Sequence, residues 1–218
     1  MPRAFAQIAF TPRVRAEQAR LGSARTYETL LAANADGGRS LGPDEAAFLH
    51  ARDGFYQATV SETGWPYVQF RGGRPGFLRV IDPQTVAYAD YRGNRQYLSL
   101  GNLSGDGRIS LILMDYPNRR RLKIWGRARA VEGAEAADIL AALHNPGDPG
   151  RPERAIVITV EAIDWNCPAH IPQRLTLSEL EPHLAQLRAR IDALTTENAA
   201  LTELVRGATI SPTPLDGV

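Results

Sequence analysis

The stretch 121–131 constrains the fold more than any other part of the chain. Leu122, Ile124, Gly126, Ala128 and Ala130 fall on one side of a period-two pattern, and Arg121, Lys123, Trp125, Arg127 and Arg129 on the other. Successive strand residues point to opposite faces, so an alternation of this length predicts a long antiparallel strand with one face buried. Shorter alternations repeat the signal. Tyr56, Ala58 and Val60 alternate with Gln57, Thr59 and Ser61, and Ile109, Leu111 and Leu113 with Arg108, Ser110 and Ile112. Ile156, Ile158 and Val160 mark a further strand, and 66–70, 77–81 and 85–89 read as short strands separated by turn residues. Helical patterns occur within this region only at about 94–103 and 133–144. That is too few for a doubly wound parallel sheet, so the expected class is mainly β (α+β), a barrel with covering helices.

The flanks differ in texture. Residues 1–52 read as an N-terminal helical extension packed on the barrel: Thr11-Pro12 and Gly42-Pro43-Asp44-Glu45 can each open a helix, with Asn34-Ala35-Asp36-Gly37-Gly38 as a loop between them. The barrel is expected over 53–176, a C-terminal helix over 177–206 and a flexible tail over 207–218. Pro182 suits the first turn of that last helix, which would then run from about 182 to 206. Within it Leu184, Ile191, Asn198 and Val205 take heptad position a, and Leu187, Leu194 and Leu201 position d. Branched a residues with leucine at d suit a two-stranded parallel coiled coil, and one asparagine at a fixes its register. Positions e and g give no ion pairs. The alternative is an amphipathic helix packed on its own barrel.

Composition narrows the partners. A net charge of +1 gives no bulk attraction to nucleic acid or membrane. Cys167 is the only cysteine and Lys123 the only lysine, so no intrachain disulfide forms. No run approaches the ~20 apolar residues that span a bilayer, and Met1-Pro2-Arg3-Ala4-Phe5 lacks a secretory apolar stretch. A cytoplasmic location is expected. Cys167 and His170 are spaced C-x-x-H without a second ligand pair, so no metal site is expected. There is no G-x-G-x-x-G, P-loop, G-x-S-x-G or H-E-x-x-H.

Four polar clusters remain. Gln69 and Arg71 share a strand face beside Gly72-Gly73. Asn94 and Arg95 precede a helical pattern that Asn94 can cap, an arrangement suited to a phosphate at a helix N-terminus. Arg119, Arg121 and Lys123 fall on one side of a strand, where they can reach an anion. The segment Asp164 to Pro172 is aromatic and polar, stiffened by Pro168 and Pro172. Each also has an ordinary structural reading: an exposed hairpin, a capped helix, a solvated charge run, a crossing loop.

Their order along the chain resembles the pyridoxamine 5′-phosphate oxidase-like flavoproteins. The resemblance rests on Arg52–Val60 and Glu62–Gln69, Arg71-Gly72-Gly73, Gly93-Asn94-Arg95-Gln96-Tyr97, Asn102-Leu103, Arg121-Leu122-Lys123 with Gly126, and Asn166-Cys167-Pro168 with His170-Ile171. It covers roughly residues 5–172 and points to the subgroup described as flavin-nucleotide-binding proteins. The resemblance implies a split β-barrel that binds FMN in two grooves of a homodimer. It implies Gln69 and Arg71 along the isoalloxazine and ribityl chain, with Val68 also among the cofactor-binding residues, Asn94 and Arg95 at the phosphate with Arg121 and Lys123, and Asn102 facing the flavin. Asn166, Cys167, His170 and Gln173 would come from the second subunit to cover the ring. Phe70 stands where relatives carry histidine and Ala169 where they carry a longer polar residue, and the residue set for a pyridoxal phosphate product is missing. The implied activity is therefore an FMN-dependent oxidoreductase drawing on a donor such as NAD(P)H, and not a true pyridoxamine phosphate oxidase. No catalytic residue is assigned. A non-catalytic flavin-binding or sensing module, a haem-handling protein with His170 as axial ligand, and a deazaflavin in place of FMN are the alternatives.

Overall fold

A computed structural model describes residues 3–33, 37–144, 152–165 and 168–208. The chain divides into two compact units, one up to Pro172 and one from Gln173 onward. The first holds four N-terminal helices, α1 (Arg3–Ala9), α2 (Pro12–Arg20), α3 (Ala24–Ala33) and α4 (Pro43–His50). Strands β1 (Gly54–Val60), β2 (Pro66–Gly72), β3 (Leu78–Asp82) and β4 (Thr85–Tyr91) follow. Next come α5 (Leu98–Gly105), β5 (Arg108–Asp115), β6 (Arg120–Val131), α6 (Ala136–Leu143) and β7 (Pro152–Trp165). The second unit holds α7 (Leu177–Ala208).

The helix starts follow from local chemistry. Thr11 caps α2, its Oγ1 accepting from Val14 N at 3.4 Å. At α4 the Glu45 carboxylate reaches back to Gly42 N at 2.9 Å, satisfying a donor that the helix leaves unpaired. Helix α7 begins earlier than Pro182 suggests. Thr176 and Glu179 form a reciprocal cap, Thr176 N donating to Glu179 Oε2 at 2.8 Å and Glu179 N to Thr176 Oγ1 at 3.3 Å. That cap starts the helix at Leu177, and Pro182 is carried inside it.

All seven strands lie in one antiparallel sheet in the order β2-β1-β5-β6-β7-β4-β3. Its two edges, β2 and β3, do not pair with each other, so the barrel is split. In a flat sheet β2 and β4 would lie about 24 Å apart, at ~4.8 Å per strand. Instead Arg71 on β2 meets Asp90 on β4 at 3.0 Å, and the rings of Phe55 and Tyr88 lie 5.4 Å apart. The sheet therefore curls until its ends touch through side chains. The enclosed core includes Phe55, Leu78, Tyr88, Leu111, Leu122, Ile124, Ile156 and Ile158, with Phe48 and Leu49 from α4 and Leu103 from α5.

On β5 and β6 the buried faces are the apolar ones read from the alternation. On β1 they are reversed in character: Gln57 and Thr59 are buried beside Phe55, while Tyr56 is 42% exposed. Burying an amide and a hydroxyl is tolerable only where both find partners, and both do, as described below. On the outer surface α1 packs Phe5 against Trp125 and Ala162, and α6 covers Ala87 and Ala155. Over β2 and β1, Val68 (61% exposed), Phe70 (57%) and Tyr56 stay open.

Candidate functional site

Gln57, on the inner face of β1, is paired with Leu111 on one side and Gln69 on the other. This register puts Gln69 and Arg71 inward, toward the split. A directed chain of hydrogen bonds runs to Gln69. The Tyr88 hydroxyl donates to Gln57 Oε1 at 2.7 Å, Gln57 Nε2 donates to Ser99 Oγ at 3.0 Å, and Ser99 donates to Gln69 Oε1 at 2.9 Å. With Oε1 held on Ser99, the Nε2 end is the part of the Gln69 amide available to the cavity. Burial pushes the Tyr88 phenol well above its usual value, only partly countered by the nearby Arg71 charge. Tyr88 is therefore a fixed hydrogen donor. A parallel contact, Asn102 Nδ2 to Thr59 Oγ1 at 2.9 Å, secures α5 against β1.

Gln69 and Arg71 line a cavity of about 220 Å³ together with Tyr67, Asp90, Tyr91, Arg154 and the turn Gly93–Tyr97. A second cavity, of about 460 Å³, adjoins it through Arg71, Asp90 and Tyr91 and is walled by Phe70, Phe77, Tyr88 and Leu143. Together they fall in the size range of small-molecule sites. The floor is a charge cluster. Asp90 accepts from Arg71 at 3.0 Å and from Arg154 at 2.9 Å. Arg154 also reaches Glu132 at 2.7 Å and Glu153 at 3.0 Å. Burial works against the Arg154 charge, but hydrogen bonds to Glu132 and Asp90 outweigh it and raise its pKa above the ordinary arginine range. Arg154 is thus committed to carboxylates. Arg71 keeps a buried Nε with no acceptor among the described residues, a donor that is costly to leave unsatisfied.

The turn that contributes Asn94 and Arg95 is built differently from the expectation. Asn94 does not cap α5. Its Oδ1 accepts from Gln96 N at 3.1 Å, and Tyr97 is the capping residue, without a side-chain cap bond. The physical reason is backbone geometry: Arg95 (φ 61°) and Tyr97 (φ 53°) are both left-handed, so the helix cannot extend back to Asn94. Arg95 is left exposed on the cavity rim.

The remaining candidates separate. Val68 points outward, opposite Gln69 and Arg71. Arg121 and Lys123 also lie on the outer face, paired with Met114 and Ile112. Arg121 has a buried Nε without an acceptor among the described residues, whereas Lys123 is held by Asp164 at 3.1 Å and sits over the Phe5 ring. His170 is exposed, in a left-handed turn, and Gln173 falls in the second unit. Asn166 and Cys167 lie outside the described residues. One copy therefore brings together Gln69, Arg71, Asn94 and Arg95, and keeps Val68, Arg121 and Lys123 on the opposite face.

Sequence reading missed Ser99 and Arg154 as site residues. Arg154 had a signal: it shares parity with Ile156, Ile158 and Val160, which places a charge on the buried face. Among the described residues no three His, Cys, Asp or Glu side chains form a metal site, and no helix is long and apolar enough to cross a membrane.

The sequence profile described as pyridoxamine 5′-phosphate oxidase matches residues 41–167. No curated protein sequence matches the chain. Among solved structures, HupZ of Group A Streptococcus is 22% identical with a TM-score of 0.46, covering 56% of this chain and 92% of its own. An FMN-binding protein of Syntrophomonas wolfei is 16% identical with a TM-score of 0.46, covering 57% and 85%. An FAD-binding protein of Mesorhizobium loti is 16% identical with a TM-score of 0.40, covering 58% and 95%.

Proposed function

Because the chain belongs to the pyridoxamine 5′-phosphate oxidase family, we propose that it is a cytoplasmic FMN-dependent oxidoreductase whose flavin sits between two copies of the chain. The observation that carries this reading is the convergence of Gln69, Arg71, Asn94 and Arg95 on one cavity, with the Arg71 Nε buried and lacking an acceptor among the described residues. The residues fit the cofactor. Arg71, Arg95 and the N–H groups of the turn and of the α5 N-terminus suit a phosphate dianion. The aromatic walls at Phe70, Phe77 and Tyr88 suit a planar ring, and the Gln69 amide suits a ring carbonyl.

On this reading Arg121 and Lys123, which occupy the other face of the sheet, serve the flavin of a second copy. The open apolar surface at Tyr56, Val68 and Phe70 is the face proposed to receive that second protomer. The segment containing Asn166, Cys167, His170 and Gln173 is assigned to the partner's ring on the same reading. Bound FMN supplies hydride or electron transfer, with NAD(P)H as the donor. The chain orients the ring, neutralises the phosphate and excludes water.

The test is the absorbance spectrum of freshly purified protein, followed by the mass of any released chromophore and by NAD(P)H addition. Flavin peaks, the mass of FMN and bleaching by NAD(P)H are expected. A colourless protein that also fails to take up added FMN overturns the reading, and a Soret band replaces it with haem handling.

A further inference from the structure

Helix α7 carries an apolar seam of which no residue is buried. With its start fixed at Leu177, the heptad frame spans the whole 32-residue helix, about 48 Å at 1.5 Å per residue. Leu177, Leu184, Ile191, Asn198 and Val205 occupy a, and Leu180, Leu187, Leu194, Leu201 and Ala208 occupy d. None of the helix is buried; Leu177 is 85% exposed and Val205 66%. Positions b, c and f hold no large apolar residue, and Leu204 is the one such residue off the seam. A helix lying on a globular surface shows a broader apolar stripe of 100° or more, whereas a strict a/d seam is the pattern of paired helices.

We propose that α7 pairs in parallel and in register with α7 of a second copy of this chain. Three features select that occupant. Asn198 sits in an otherwise apolar a/d layer, and only in-register parallel pairing sets it against its own amide, where donor meets acceptor. Any other alignment leaves it facing an apolar side chain, with a polar group unpaired. Positions e and g (Glu181, Arg188, Thr195, Thr202; His183, Arg190, Glu197, Leu204) carry no run of one sign, so like copies do not repel and no oppositely charged partner is called for. Arg188 and Glu181 already satisfy each other along one helix at 3.1 Å. Pro182, at f, faces away from the seam, so its missing N–H does not interrupt the pairing.

The test uses the full chain with one added cysteine, at a d position (Leu201→Cys) or an f position (Glu203→Cys), oxidised mildly at micromolar concentration. Helix content and melting temperature are checked for both variants, and linking is counted above that of the unaltered chain, which has Cys167. Leu201→Cys is expected to give at least fivefold more disulfide-linked dimer than Glu203→Cys. Equal linking at both positions, or none at either, overturns the proposal. So does linking that requires a mixture of Leu184→Cys and Leu201→Cys chains, the signature of antiparallel pairing. Asn198→Leu provides a second measure: sedimentation is expected to show species above the dimer, and an unchanged distribution counts against the pairing. Flavin content is a readout in neither experiment, so the outcome stands apart from the cofactor assignment.

Discussion

The Ser99 hydroxyl donates to Gln69 Oε1 at 2.9 Å while accepting from Gln57 Nε2 at 3.0 Å. One small side chain thus sets the orientation of two amides, one buried in the barrel and one facing the cavity. Ser99→Ala removes the acceptor of a fully buried Gln57 amide, at a cost of about 1–3 kcal/mol in stability. It also frees Gln69 to turn, and flavin affinity should fall about tenfold, ~1.4 kcal/mol. Thermal melts and a fluorescence titration with FMN measure the two effects. A stability loss with unchanged affinity would confine Ser99 to the core.

Substitution of Arg95 tests phosphate binding apart from ring binding. It lies exposed on the rim beside Asn94, without a carboxylate partner among the described residues. Arg95→Ala should weaken FMN by about ten- to a hundredfold, the worth of a charge-assisted hydrogen bond, and leave riboflavin binding unchanged. Parallel titrations with the two ligands decide it. An equal loss for both places Arg95 away from the phosphate.

Tyr88 makes alkaline stability a report on the buried network. Its folded pKa is raised above the unfolded value of 10, so the folded chain holds its proton after the unfolded chain has released it. The contribution is complete below pH 10 and is lost as pH rises beyond it, at about 1.4 kcal/mol per pH unit. Denaturant titrations from pH 8 to 12 should show this slope. Tyr88→Phe should flatten it while lowering stability at neutral pH by about 1–3 kcal/mol, because Gln57 Oε1 loses its donor.

Gly126 marks a close approach between strands. A Cβ there would stand 2.3 Å from the Thr159 carbonyl oxygen, at the register shift between Trp125 and Gly126. A backbone atom cannot give way as a flexible side chain can, so Gly126→Ala should cost about 3 kcal/mol or more. A melting temperature within 2 °C of the parent would show that the shift absorbs the methyl.

Much of this architecture is written in the alternations. The faces of β5 and β6 follow from which residues are apolar, and Thr11 and Gly42 announce their helices. On β1 the same rule fails, because Gln57 and Thr59 point inward to partners on β4 and α5 that hydrophobicity cannot reveal. Departures of this kind concentrate where a fold serves a ligand. The left-handed Arg95 and Tyr97 leave no trace in composition, so Asn94 reads as a cap until the backbone is seen. The start of α7 was legible, since Thr176-x-x-Glu179 is a capping box, but Pro182 carries the more conspicuous signal. The separation of Arg71 from Arg121 could not be read at all. It depends on the register of four strands and on the curl of the sheet, neither of which a local pattern encodes.

That separation supplies the most discriminating experiment on the assembly. Val68, Phe70 and Tyr56 form an open apolar surface on β2 and β1, and two-copy flavin binding requires this surface to be covered. Val68→Glu places an uncompensated charge there, which is costly in a buried interface, yet Val68 makes no contribution to the core of its own barrel. Melting of the barrel should therefore change little while bound FMN is lost. If α7 pairs as proposed, the full-chain variant should remain a dimer, tethered at high effective concentration. Truncation after Gln173 should leave an unaltered barrel dimeric and flavin-bound, and the truncated Val68→Glu chain monomeric and colourless. Sedimentation and absorbance of the four proteins distinguish the two contributions. If truncation alone abolishes both dimer and flavin, the barrel surface is not the primary interface, and α7 assembles the site.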